Sequence, residues 1–109
     1  MAYYLVRAAY TPEGWAALVK NPQHRGEAVR PVVEAQGGSV DRIFWAFGEY
    51  DIVGIFQLPD NVSAAAFSAA TSAGGGVKAI RTTPLMTAEE GLEFLRRAAG
   101  AGYRPPGVG

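Results

Sequence analysis

The chain has 109 residues, and a second domain would need roughly another 100, so a single domain is expected. Hydrophobic residues make up 49% and charged residues 18%, with ten Lys and Arg against ten Asp and Glu. That balance excludes a disordered chain and leaves no basic excess for holding nucleic acid or an anionic membrane by bulk charge. The absence of cysteine excludes disulfides, thiolate catalysis, zinc fingers and iron–sulfur ligation. Size scaling removes roughly 65% of the unfolded surface from water, enough for one modest core. No apolar run approaches the roughly 20 residues of a membrane span. The N-terminus opens on strand-like sequence instead of a signal peptide, so a cytoplasmic protein is expected.

Residues 3–10 (Tyr-Tyr-Leu-Val-Arg-Ala-Ala-Tyr) are aromatic and β-branched enough for a strand. Thr11 as N-cap and Pro12 at the first helical position open a helix carrying Trp15, Leu18 and Val19, which Asn21-Pro22 interrupts. A second helical stretch covers about Arg25 to Gln36. Pro31 lies within it, so this helix either starts near Glu27 or Ala28 or bends at Pro31. Gly37-Gly38 ends it. Val40–Phe47 and Tyr50–Leu58 read as strands joined by a tight hairpin at Gly48-Glu49. Asp60 or Asn61 caps an alanine-rich helix through Ser72, which Gly74-Gly75-Gly76 stops. Val77–Leu85 is the fourth strand. Thr87 and Glu90 form a capping box for a last helix with Leu92, Phe94, Leu95 and Ala98, ended by Gly100. The domain thus covers residues 1–99, and residues 100–109 form a Gly/Pro-rich tail expected to be flexible.

The order is βαββαβ with an extra C-terminal helix, which with right-handed crossovers gives an α+β, ferredoxin-like antiparallel sheet with helices on one face. Strand alternation adds a second point. Ile43, Trp45 and Phe47 share one face and Phe44 and Ala46 the other; Ile52, Phe56 and Leu58 oppose Val53 and Ile55. A sheet with one wet face alternates apolar with polar, and these strands are apolar on both sides. Helices cover only one side. A second copy of the same sheet is the simplest cover for the other, with the C-terminal helix or tail as the alternative.

The stretch Phe47-Gly48-Glu49-Tyr50-Asp51 through Asp60 resembles the GYD-domain family, small bacterial and archaeal proteins named for a Gly-(x)-Tyr-Asp element. Asn21-Pro22-Gln23-His24-Arg25 is similar to the family's Pro-x-x-Arg turn, and Gly37-Gly38 and Gly76–Thr83 also fit, so the resemblance spans residues 3–97. It implies a dimeric α/β barrel, two ferredoxin-like sheets packed face to face. It implies no activity: the wider superfamily includes cofactor-free monooxygenases, lactone isomerases, haem-handling enzymes and small-molecule sensors.

Candidate chemistry is sparse. Asp51 could act as a base and Tyr50 as a donor to a developing oxyanion; alternatively Gly48 makes a turn, Tyr50 packs and Asp51 bonds turn amides. His24 is the one histidine, a possible base or haem ligand, but without the clustered partners of a metal site. Arg7 and Arg81 lie within strands and Arg25 beside a turn, where each could hold an anionic ligand or an intersubunit carboxylate. Trp45, with Phe47 and Phe56, offers an aromatic pocket wall or ordinary core. Gly74-Gly75-Gly76 follows a helix and lacks a Gly-Lys-Ser/Thr continuation, so it is no phosphate loop.

The expected protein is therefore a homodimer or higher oligomer that encloses a small organic ligand between its sheets. It calls for no organic cofactor or metal and has no nucleic-acid or membrane partner. The alternatives are a cofactor-independent monooxygenase or isomerase and a structural or regulatory oligomer without ligand.

Overall fold

A computed structural model describes residues 1–107; the last two residues of the expected tail lie outside the described residues. The elements are β1 (Ala2–Tyr10), α1 (Pro12–Lys20), α2 (Arg25–Ala35), β2 (Ser39–Trp45), β3 (Ile52–Leu58), α3 (Asn61–Ala73), β4 (Val77–Leu85) and α4 (Ala88–Ala99). The strands form one antiparallel sheet in the order β2-β3-β1-β4. This is the α+β, ferredoxin-like arrangement with an added C-terminal helix.

Helix starts follow local chemistry. Thr11 Oγ1 accepts the Gly14 amide at 3.0 Å, with Pro12 at the first position. His24 caps α2, its Nδ1 accepting the Glu27 amide at 3.2 Å. That cap starts α2 at Arg25, ahead of Glu27, and the helix runs through Pro31 to Ala35. Proline removes one helical donor, and here Glu27, whose carbonyl loses its partner, and Pro31 both lie on the exposed side, so the freed carbonyl is not buried. Asp60 caps α3 through the Ser63 amide at 2.8 Å, and those bonds to the charged form lower its pKa. Thr87 and Glu90 form the expected capping box on α4.

The core lies between the sheet and α2 and α3. It is built from Tyr4, Val6, Val33, Phe56, Leu58, Ala64 and Phe67, with Leu58 and Val33 fully enclosed. Phe56 and Phe67 meet edge to face at 5.2 Å between centroids. Beside α1, Tyr10, Trp15 and Trp45 form a second aromatic group, with the two indoles stacked at 6.0 Å.

The loop before β3 corrects the expected hairpin. β2 ends at Trp45 and β3 starts at Ile52, so residues 46–51 are a loop and not a two-residue turn. Phe47 leaves the strand and stands 98% exposed. Tyr50 and Asp51, expected to open the strand, lie in this loop. The cause is Asp51. Its amide donates to Ala8 O at 2.9 Å, its carbonyl accepts the Ala46 amide at 2.7 Å, and its buried carboxylate accepts the Tyr10 amide at 2.9 Å. The β1–β3 pairing ends at Ala8 and Ile52, and just past that end the carboxylate takes the Tyr10 amide in place of a strand partner.

Two outcomes follow. Asp51→Ala leaves a buried amide unpaired and should lower unfolding free energy by about 2–3 kcal/mol, read from urea midpoints, whereas Asp51→Asn keeps an acceptor oxygen and should lose less. Because Asp60 has a depressed folded pKa, its stabilisation is present above the ordinary carboxylate pKa and is lost as pH falls through the folded value. Melting temperatures between pH 5 and pH 2 should therefore fall less steeply in Asp60→Asn, which caps without titrating.

Candidate functional site

The sheet's two faces offer different surfaces. On the helix side, α2 packs on β2 and α3 on β4, and the gap between them leaves a cleft of about 290 Å³ at the surface. It continues into a narrower apolar pocket of about 50 Å³ against the sheet. Tyr10, Val29, Phe67, Thr71 and Val77 line both parts, and Arg25 stands among them. The pocket floor includes Gly54, where an added Cβ would lie 2.7 Å from the Phe56 ring, so the absence of a side chain there lets Phe56 cross the floor. The Thr71 hydroxyl is already committed, donating to Phe67 O at 2.9 Å.

Arg25 is the charged group of this cleft. One terminal nitrogen donates to Gln23 Oε1 at 2.7 Å, while Nε is buried without a hydrogen-bond partner. A buried, unpaired guanidinium N–H carries a desolvation cost that an acceptor would relieve.

The opposite face is uncovered by helices. Cross-strand register sets Phe44, Val53, Arg7 and Arg81 in one row and Arg42, Ile55, Leu5 and Thr83 in the next. An apolar centre thus lies between arginines, and among the described residues none of Arg7, Arg42 and Arg81 is paired with a carboxylate. Arg7 lies over the Tyr50 ring at 4.9 Å, with its Nε buried and unbonded, and Arg42 lies over Phe44 at 5.7 Å. α4 does not close this face; it projects from the body with no buried residue.

The residues singled out in the sequence thus fall in three places. Arg7, Tyr50 and Arg81 meet on the open face, with Asp51 adjacent but engaged with Tyr10. His24 and Arg25 lie at the start of α2, where His24 Nδ1 is engaged as a cap and Arg25 lines the cleft. Trp45 stands at the β2 edge beside Trp15, half-exposed. Among the described residues no group of three His, Asp or Glu side chains is placed to hold a metal ion. No helix among them is long and apolar enough to cross a membrane. The helix-side cleft was not anticipated. Its one sequence signal is Gly54, a glycine inside an otherwise apolar strand, which marks close approach or open space.

Comparisons with known proteins agree with this architecture. No curated protein matches the sequence. Among solved structures, the 30S ribosomal protein S6 from Thermotoga maritima superposes with a TM-score of 0.54 at 17% identity, covering 91% of this chain and 97% of that one. At that identity the likeness concerns the fold alone. The family model of the GYD domain matches residues 4–95, spanning every strand, the loop with Gly48, Tyr50 and Asp51, and most of α4. The chain belongs to the GYD domain family.

Proposed function

We propose that the protein is a homodimer that binds a small apolar organic acid. Two copies close their open sheet faces over the centre formed by Leu5, Val53 and Ile55, and each chain takes its own ligand in the α2–α3 cleft. The observation that carries the ligand reading is Arg25: an unpaired, buried guanidinium N–H in an otherwise apolar cleft fits a carboxylate head on a hydrocarbon or aromatic body. This moves the expected ligand from between the sheets to the helix side. The space between sheets keeps Arg7 and Arg81, which suit an anion or a partner's carboxylate.

Binding is favoured over turnover because both candidate bases are engaged. Asp51 holds a backbone amide and His24 Nδ1 holds another. A monooxygenase or isomerase would need those groups at the substrate. Locating the protein in the cytoplasm is part of the same reading, resting on the absence of cysteine.

Isothermal titration calorimetry with phenylacetate tests the site. The wild type should bind phenylacetate and not phenylacetamide, and Arg25→Gln should weaken phenylacetate binding by about tenfold or more, the worth of a charge-assisted hydrogen bond. Equal binding of acid and amide, or an unchanged Arg25→Gln, overturns the assignment.

A further inference from the structure

The chain as a whole is neutral, but its strands are not. They carry four cationic side chains, Arg7, Arg42, Lys78 and Arg81, against one acid, Asp41. Asp41 is itself engaged, accepting Gln57 Nε2 at 3.1 Å. The other acids lie in helices, caps and loops.

Two of these cations are set side by side. Arg7 of β1 and Arg81 of β4 are direct cross-strand partners. Such partners share a face with Cβ atoms about 4.5–5.5 Å apart, and like charges placed there are destabilising. The face is the open one, because the alternate residues Tyr4, Val6 and Ala8 of β1 join the core. Among the described residues neither guanidinium meets a carboxylate. Arg7 is half-buried and its Nε is enclosed without a hydrogen-bond partner. The bare pair thus costs twice, in repulsion and in lost hydration.

The contact that holds Arg7 also prepares it. Its guanidinium lies over the Tyr50 ring at 4.9 Å. Stacking engages the flat of the group and leaves the fork of N–H donors at its edge to meet an anion. Arg81 is exposed, so its own fork can turn toward the same point.

We infer that Arg7 and Arg81 form a site for a tetrahedral oxyanion, either a phosphate ion or the phosphate group of a monoester. Two forks present more donors than the two oxygens of one carboxylate can take, whereas a phosphate accepts a fork on each of two edges. A phosphate monoester carries about −1.5 to −2 charge at pH 7, which offsets the pair. The acid of a second copy is the less suited occupant, because a two-fold brings the same acid-poor face. The site also bears on assembly, and this part rests on the dimer proposed above. Closing two open faces moves both arginine pairs out of water into one space, and an anion on each pair removes charge that opposes closure. The dimer is then the form that holds its anions most tightly.

Isothermal titration calorimetry with inorganic phosphate tests the site. Sedimentation velocity in phosphate against chloride at equal ionic strength tests the link to assembly. The wild type should bind phosphate, and Arg81→Gln should weaken that binding by about tenfold or more. Arg25→Gln should bind it unchanged, which separates this site from the cleft. In that variant, tighter binding of phenyl phosphate than of phosphate names a monoester as the occupant, and equal binding names the free ion. The dimer dissociation constant of the wild type should fall by about tenfold or more in phosphate. Arg81→Glu places an acid opposite Arg7 and should dimerise in chloride as tightly as the wild type does in phosphate. Arg81 is exposed, so circular dichroism should show both variants folded. No phosphate binding, or binding that Arg81→Gln leaves unchanged, overturns the site. Phosphate binding by a chain that stays monomeric in both buffers overturns the dimer and keeps the site. A dimer equally tight in both buffers overturns the link to assembly alone.

Discussion

The bond from the Tyr10 amide to the Asp51 carboxylate is the contact on which the arrangement of this protein turns. It joins the end of β1 to the start of β3 across 41 residues of sequence, inside the fold and away from water. Through it the loop of residues 46–51 is drawn against β1, which brings Tyr50 beneath Arg7 and holds Trp45 beside Tyr10 and Trp15. The acidic residue that a mechanistic reading takes for a base is here the partner of a main-chain donor. A carboxylate suits that position because it accepts only and needs no donor of its own. The Gly-x-Tyr-Asp element therefore reads as an architectural device: glycine at φ 130° for the loop, tyrosine as a platform for a guanidinium, and aspartate as the clamp.

The sheet divides its chemistry between its faces. The helix side is almost wholly apolar, and its charge enters at one corner, through Arg25. The open side mixes an aliphatic centre with arginines that lack carboxylate partners among the described residues. Guanidinium groups tolerate this placement better than ammonium groups do, since they are weakly hydrated and stack on rings. Arg7 on Tyr50 and Arg42 on Phe44 show the pattern. Such a face is neither an ordinary solvent surface nor a finished core, and it has the composition of an interface, apolar at its centre with arginine and aromatics around it.

The fold was largely legible in the sequence because each element is punctuated by its own chemistry. The caps at Thr11, Asp60 and Thr87 and the stop at Gly37 mark turns that backbone sterics and unpaired amides demand, whatever the tertiary structure. The departures came where a long-range contact outweighed local preference. Phe47 and Tyr50 have strand propensity, yet strand pairing ends at Trp45 and Ile52 and the Asp51 side chain ties the loop beyond it to Tyr10. Pro31 argues for a later helix start, yet the His24 cap carries α2 over it. The site was less legible for the same reason. Arg25 could be read as an anion partner, but the cleft depends on the distance between α2 and α3, which no local pattern encodes. The exposure of α4 likewise depends on where β4 ends.

Pro31 gives the cleft one soft wall. α2 lacks a backbone bond in its middle turn, while α3 opposite it, rich in alanine, contains no such break. Local opening starts where the fewest bonds must be broken. Amides following Pro31 in α2 will exchange with solvent ahead of those in the body of α3. The proline thus makes α2 the softer of the two walls that flank the cleft.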